Sequence, residues 1–299
     1  MSDQKYVVRV APSLKKSWKI LIAFLVPAAV AWAAGNARLE KTYETNGNPR
    51  VSISNLSGHV VVRGWDKSQV HVAYTVGSPH VEVDTEVLPP TGPADKIRFS
   101  THVLDPLATG PDQNADYTLD VPVGTSLEIR NPQGIVQVEN LQSDAALESV
   151  GGNIEVTDFS GHLSVKSVGG DIKIIRPSGN VEAYSITGNL HFVSPMTSKL
   201  RGSTTSGQIL YEGDFLDGGD YVLSEYSGNM EVVCPSSASY ELSAKTVRGK
   251  ILNTLPIQPR RRYASPLASS NSLLGTHNTG SATVDLTSFS GTIRIRPQN

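Results

Sequence analysis

ESVGGNIEVTDFSGHLSVKSVGGDIKI, residues 148–174, says nearly the same thing twice: SVGGNIEV starts at Ser149 and SVGGDIKI at Ser167, eighteen residues on. Each copy runs glycine, one polar residue, then apolar and polar residues in alternation. The same form recurs at Gly134-IVQV, Gly152-NIEV, Gly170-DIKI, Gly188-NLHF, Gly207-QILY, Gly228-NMEV, Gly249-KILN and Gly291-TIRI, at intervals of 18, 18, 18, 19, 21, 21 and 42 residues. Gly161-HLSV and Gly179-NVEA fall midway in two of the early intervals and divide them into halves, each one short strand and one turn. Alternation with period two sends Ile154, Val156, Leu163, Val165, Ile172, Ile174, Val181, Leu190 and Phe192 to one face, and Glu155, Ser164, Lys173 and Glu182 to the other.

A four-residue strand cannot bury its apolar face alone, so a fixed period implies stacked units that share a continuous core. The expectation is an all-β, single-stranded β-solenoid or β-roll with coils of about 18–21 residues. An antiparallel sandwich also suits short strands with frequent turns, but glycine held in register favours stacked coils. Gly58, which opens GHVVV, belongs with Gly134, Gly152, Gly170, Gly188, Gly207, Gly228, Gly249 and Gly291 as structural turn glycines. Each marks a corner needing positive φ or close approach of the neighbouring coil. Residues 38–130 also alternate apolar and polar residues, in VSISNLSGHVVVRGWD, QVHVAYTV, HVEVDTEV, KIRFSTHV and ADYTLDVP. This N-terminal β-rich region is expected to continue or cap the repeats of 131–299, because an open end exposes strand edges.

Ahead of both lies a basic stretch with Lys5, Arg9, Lys15, Lys16 and Lys19 against Asp3, then the apolar run Ile20 to Ala34. As a helix that run spans about 22 Å, short of a bilayer core of roughly 30 Å, and Ala31 and Ala33 offer an A-x-A cleavage site. Residues 1–33 are therefore expected to be a signal peptide, with an uncleaved N-terminal anchor as the alternative. Either places the rest outside the cytoplasm, in the periplasm, at the cell surface or secreted, with membrane contact only through this segment if it is retained. Removing it takes away five of 26 basic and one of 28 acidic residues, which leaves 21 against 27, a formal charge of −6. That balance argues against nucleic acid as a partner. The single cysteine, Cys234, cannot form an internal disulfide and reads as a small apolar side chain in a strand.

Three stretches, SNLSGHVVVRGWDKSQVHV (54–72), YTLDVPVGTSLEIRNPQGIVQVENL (117–141) and LGTHNTGSATVDLTSFSGTIRIRP (274–297), resemble the large bacterial family of exported β-repeat domains known as putative adhesins. The shared features are the G-x-V-x-V-x-G-W-D opening, the V-P-x-G-x-x-L entry and the closing S-G-x-I-x-I. The resemblance covers about 45–297 and implies a fold and an interaction role; the family has no agreed catalytic residues to carry over.

β-Helices also carry polysaccharide lyases and hydrolases, which need clustered carboxylates or bases on neighbouring rungs. Aligned on their glycines, the repeats put Asn153, Asp171, Asn189, Gln208, Asn229 and Lys250 in one column and Glu155, Lys173, His191, Leu210, Glu231 and Leu252 in another, with no carboxylate pair on adjacent rungs. His59, His71, His80, His102, His162, His191 and His277 lack metal-ligand spacing. In EGDFLDGGD, Glu212, Asp214, Asp217 and Asp220 crowd two glycines, where Ca²⁺ is the alternative to an ordinary turn. Residues 253–280 lack sustained alternation and suggest a surface loop inserted in one coil that starts at KILN and finishes at ATVDL. Arg260, Arg261 and Arg262 at its centre are a candidate partner-docking site on an otherwise acidic protein. The functional expectation is a non-enzymatic exported scaffold, an adhesin or cell-envelope interaction protein, without cofactor, whose partner is an envelope protein or glycan. A carbohydrate-active β-helix enzyme and an envelope-stress accessory protein are the alternatives.

Overall fold

The computed structural model describes residues 38–105, 107, 109–258 and 268–298. Among the described residues, apart from a single 3₁₀ turn at Gly110–Gln113, the regular structure is all β. The first ten strands are β1 (Arg38–Ser54), β2 (Val60–Trp65), β3 (Gln69–Val76), β4 (Val81–Leu88), β5 (Ala94–Val103), β6 (Ala115–Pro122), β7 (Ser126–Arg130), β8 (Val136–Leu141), β9 (Ala145–Glu148) and β10 (Ile154–Ser167). Then come β11 (Ile172–Ile175), β12 (Ser178–Ser185), β13 (Leu190–Val193), β14 (Met196–Thr204), β15 (Ile209–Glu212), β16 (Asp220–Glu225), β17 (Asn229–Cys234), β18 (Tyr240–Thr246), β19 (Lys250–Asn253), β20 (Ala268–Ser269), β21 (Ser272–His277), β22 (Ala282–Ser288) and β23 (Thr292–Pro297).

The expectation of a single-stranded solenoid or roll is corrected by how the first ten strands pair. β1 bonds β3, β3 bonds β6, β6 bonds β2, β2 bonds β8, β8 bonds β10, β10 bonds β9, β9 bonds β7, and β7 returns to β1, which closes an eight-strand β-barrel. The other strands are hydrogen-bonded outside it. Closure depends on two long strands that bend. The first part of β1 pairs antiparallel with β3, whereas Arg50–Ser54 pairs parallel with β5 and β7; Gly47 at φ +82° lies at the bend. β10 divides in the same way around Asp158, at φ +53°. Its first part carries one ladder, β11–β13–β15–β17–β23–β19, and its second part the other, β12–β14–β16–β22–β18, with β21 antiparallel on β18.

Within both ladders the pairing from β10 to β19 is parallel, and the sequence period is the distance between bonded partners: Ile154 lies beside Ile172, and Leu163 beside Val181. All nine residues expected on the apolar face are buried and belong to one core. Each such side chain contributes roughly 1.5–3 kcal/mol, which a four-residue strand gains only because the layers beside it cover the same face. Size is matched across the core. Phe192 is fully buried, and a Cβ on Gly202 would press on its ring, so the bulk of one strand fills the space that the glycine of the other leaves.

The recurrent glycines are explained mainly by close approach. A Cβ on Gly152, Gly170, Gly188, Gly207 or Gly228 would overlap the carbonyl oxygen of the glycine one layer below, respectively Gly134, Gly152, Gly170, Gly188 and Gly207. Positive φ adds a second reason at Gly134 (+101°), which sits against Gly58 although 76 residues separate them. Three residues before each glycine stands a buried polar side chain. The hydroxyls of Ser149, Ser167, Ser185, Thr204, Thr246 and Ser288 each accept a hydrogen bond from the glycine N–H that follows.

The top of the stack departs from chain order. Gly291 lies against Gly228, and Gly249 against Gly291. β22 and β23 are thus inserted between β16–β17 and β18–β19. One coil does not run from KILN to ATVDL: β19 and β22 belong to different layers, and the doubled interval between Gly249 and Gly291 holds the segment that carries β20 and β21. Ser272–His277 is a strand rather than loop, paired with Tyr240–Lys245.

Candidate functional site

The acidic turn does not gather into a metal site. Glu212 leaves along β15 and bonds His191 at 2.7 Å, and Asp220 pairs with Arg201 at 3.4 Å. Asp214 accepts the Phe215 N–H. No group of three or more metal-ligating side chains occurs among the described residues. The Asn153 column has a structural use: Asn153 accepts the Asp171 N–H, Asp171 the Asn189 N–H, and Asn189 the Gln208 N–H, each across one layer at 2.8–3.0 Å. The second column is an ion-paired outer face, with Glu155 beside Lys173 at 4.0 Å and Glu231 bonded to Arg296 at 2.6 Å. Arg260, Arg261 and Arg262 lie outside the described residues.

The buried titratable groups are packed into the core rather than aimed at solvent. Burial pushes the Cys234 thiol up to about 11, so it is protonated and unreactive at neutral pH. Tyr117 is raised to about 12 by burial, and its hydroxyl bonds Thr101 at 2.6 Å. Burial raises Tyr211 and Tyr240 as well. Glu225 is the exception in kind. It is a carboxylate in a column that holds Asn55 and Asn131 in the first two layers and serine or threonine in the others, buried, with neither oxygen in a hydrogen bond of good geometry. Burial raises its carboxyl to about 7, partly offset by the Ser288 hydroxyl.

One surface feature follows the repeat and was not singled out from the sequence. Two residues before the glycine of each layer, Leu56, Val150, Val168, Ile186, Tyr226 and Val247 are between 39% and 62% exposed. Pro132, Thr205 and Phe289 hold the same position in the layers between. The backbone aligns them, since Val150 N–H donates to Pro132, Gly169 to Val150, Thr187 to Val168 and Thr205 to Ile186. Nine layers at a strand spacing of about 4.8 Å make a stripe roughly 38 Å long and one side chain wide. Toward one end Tyr226 and Phe289 stack, with ring centres 4.6 Å apart, and the Arg248 guanidinium lies 5.4 Å from the Phe289 ring. Near the middle, Pro132, Val150, Val168 and Ile186 form one wall of a groove of about 370 Å³ whose other wall is Arg130, Glu148, Lys166 and Tyr184. Alternation explains the groove: the buried Ser149 and Ser167 lie between two outward-pointing columns. The legible signal was the apolar residue two places before most repeat glycines, as in SVGG, which breaks the rule that turn residues are polar.

No known family and no curated protein matches the sequence. Among solved structures, the chain is similar to a putative adhesin from Bacteroides fragilis, at 10% identity and a TM-score of 0.47 over 88% of this chain and 99% of that one. It is also similar to a putative cell adhesion protein from Clostridium sporogenes (11% identity, TM-score 0.28, 88% and 100% covered) and a putative lipid binding protein from Parabacteroides distasonis (10%, 0.34, 87% and 96%). The adhesin names agree with the resemblance seen in the sequence, at a coarser level than membership of one family. At these scores the likeness carries no function to this chain. No helix among the described residues is long and apolar enough to cross a membrane.

Proposed function

We propose that the protein is an exported, non-enzymatic binding scaffold of the adhesin kind, which holds an extended segment of another cell-envelope protein lengthwise along the apolar stripe. The observation that supports this reading is the stripe itself. Contiguous exposed apolar surface is costly for a soluble protein, and here the repeat aligns it into a line matched to an extended chain. A peptide suits the stripe better than a glycan, because its middle offers valine and isoleucine rather than the aromatic platforms that sugar rings stack on. Arg260, Arg261 and Arg262 are a second proposed contact, for acidic groups of the same partner. The test is a photo-crosslinking side chain at Val168 or, on the ion-paired outer face, at Lys173. A protein captured from the envelope at 168 alone, and lost when Val150 and Ile186 are changed to serine, supports the reading. Equal capture at both positions, capture of glycan only, or catalytic depletion of a glycan by the purified chain overturns it.

A further inference from the structure

The out-of-order layer at the top of the stack points to a property separate from the stripe. We propose that the slot between β16–β17 and β18–β19 accepts the β22–β23 strand pair of a second copy of this chain, giving a strand-exchanged dimer. From Gly134 to Gly228 chain order and layer order coincide; β22–β23 then enters between two layers that both precede it. The slot can also close without it. Gly228 and Gly249 are 21 residues apart, the same interval that separates the directly stacked Gly207 and Gly228. The faces across the slot match. Tyr221 and Leu223 face Val284 and Leu286, which face Leu242 and Ala244; Met230 faces Ile293, which faces Ile251. With the inserted pair absent, apolar residues meet apolar residues and one layer is lost, so two packings are available to the same segment.

The inserted pair is held through parallel ladders to β16, β18, β17 and β19, and none of these contacts depends on which chain supplies it. Intermolecular insertion therefore reproduces the intramolecular contacts, and only chain connectivity and concentration decide between them. A buried polar group at the junction also lacks a partner. Glu225 replaces the hydroxyl residue of every neighbouring layer, its carboxylate makes no good hydrogen bond, and it abuts Gly291 of the inserted layer. An unsatisfied buried group lowers the cost of opening at that layer relative to its neighbours.

The experiment uses full-length chains. Ser224 and Thr287 are directly paired residues of β16 and β22, so an S224C chain mixed with a T287C chain can form a 224–287 disulfide only if β22 of one chain lies beside β16 of the other. After incubation at high concentration and mild oxidation, a covalent heterodimer is expected. It should exceed several-fold that from an S203C and S224C mixture, whose paired positions lie in layers that follow chain order. E225Q, which removes the buried charge, should lower the yield. Absence of heterodimer from chains that retain the wild-type melting temperature, or equal yields from the two mixtures, overturns the proposal.

Discussion

Gly169→Ala and Gly170→Ala differ by one position in the motif SVGGDIKI and should differ widely in stability. A Cβ on Gly170 would overlap the Gly152 carbonyl, a backbone atom that cannot rotate away, whereas a Cβ on Gly169 would meet Thr187 Oγ1 and the Val150 oxygen at an ordinary 3.5 Å. Neither glycine has a left-handed φ, so the difference is steric. Relief at Gly170 requires the two layers to separate locally, where Gly169 N–H bonds Val150 O at 2.7 Å, Asp171 N–H bonds Asn153 Oδ1 at 3.0 Å and Ile154 N–H bonds Asp171 O at 2.9 Å. Overpacking costs about 1–3 kcal/mol. A full hydrogen bond is worth about 0.5–1.5 kcal/mol; partial weakening of these three together adds about 1 kcal/mol, so Gly170→Ala should cost roughly 2–4 kcal/mol in all. Gly169→Ala should fall within about 0.5 kcal/mol of wild type, or stabilise slightly by restricting the unfolded chain. Gly151 and Gly152 repeat the contrast, since a Cβ on Gly151 meets nothing within 4 Å and one on Gly152 overlaps the Gly134 carbonyl. Urea titration and thermal melting of the four variants measure it. At roughly 2–4 °C per kcal/mol for a chain of this size, Gly170→Ala should melt about 4–16 °C below Gly169→Ala. Equal midpoints within either pair would refute the close-approach account.

Glu225 should impose a pH dependence. Its folded pKa of about 7 lies above the ordinary 4.5, so the folded state holds a proton that the unfolded state releases between those values. The associated stability is complete below about pH 4.5 and is lost as pH rises through about 7, amounting to about 3 kcal/mol. The urea midpoint should fall between pH 5 and pH 8 in the wild type, and that fall should vanish in Glu225→Gln; an unchanged slope in the variant would assign it to other groups. Gly202→Ala should cost about 1–3 kcal/mol by pressing on Phe192, and adding Phe192→Leu should recover part of that loss; strictly additive losses in the double-mutant cycle would show that the two sites do not share the space. The exported form should begin near Ala34 or Arg38, and an intact mass that retains residues 1–33 would make the first segment an anchor.

Much of the local structure was legible in the spacing of a few residues. Period two in NIEV, HLSV and DIKI set the buried face, and the eighteen-residue recurrence of glycine set which residues lie beside one another. Both depend on chain geometry within one turn and one layer, which repeated sequence encodes directly. Closure of the barrel was not encoded that way. It depends on where β1 and β10 bend, at Gly47 and Asp158, and on β3 lying antiparallel between β1 and β6, contacts between segments that share no repeat. The doubled interval between Gly249 and Gly291 signals added chain but not layer order, and only pairing of β22 with both β16 and β18 showed that β22–β23 lies out of order. The stripe shows the same division. Val150, Val168 and Ile186 stand in the sequence as isolated apolar residues in turns, and they become one surface because hydrogen bonding between layers sets them in line.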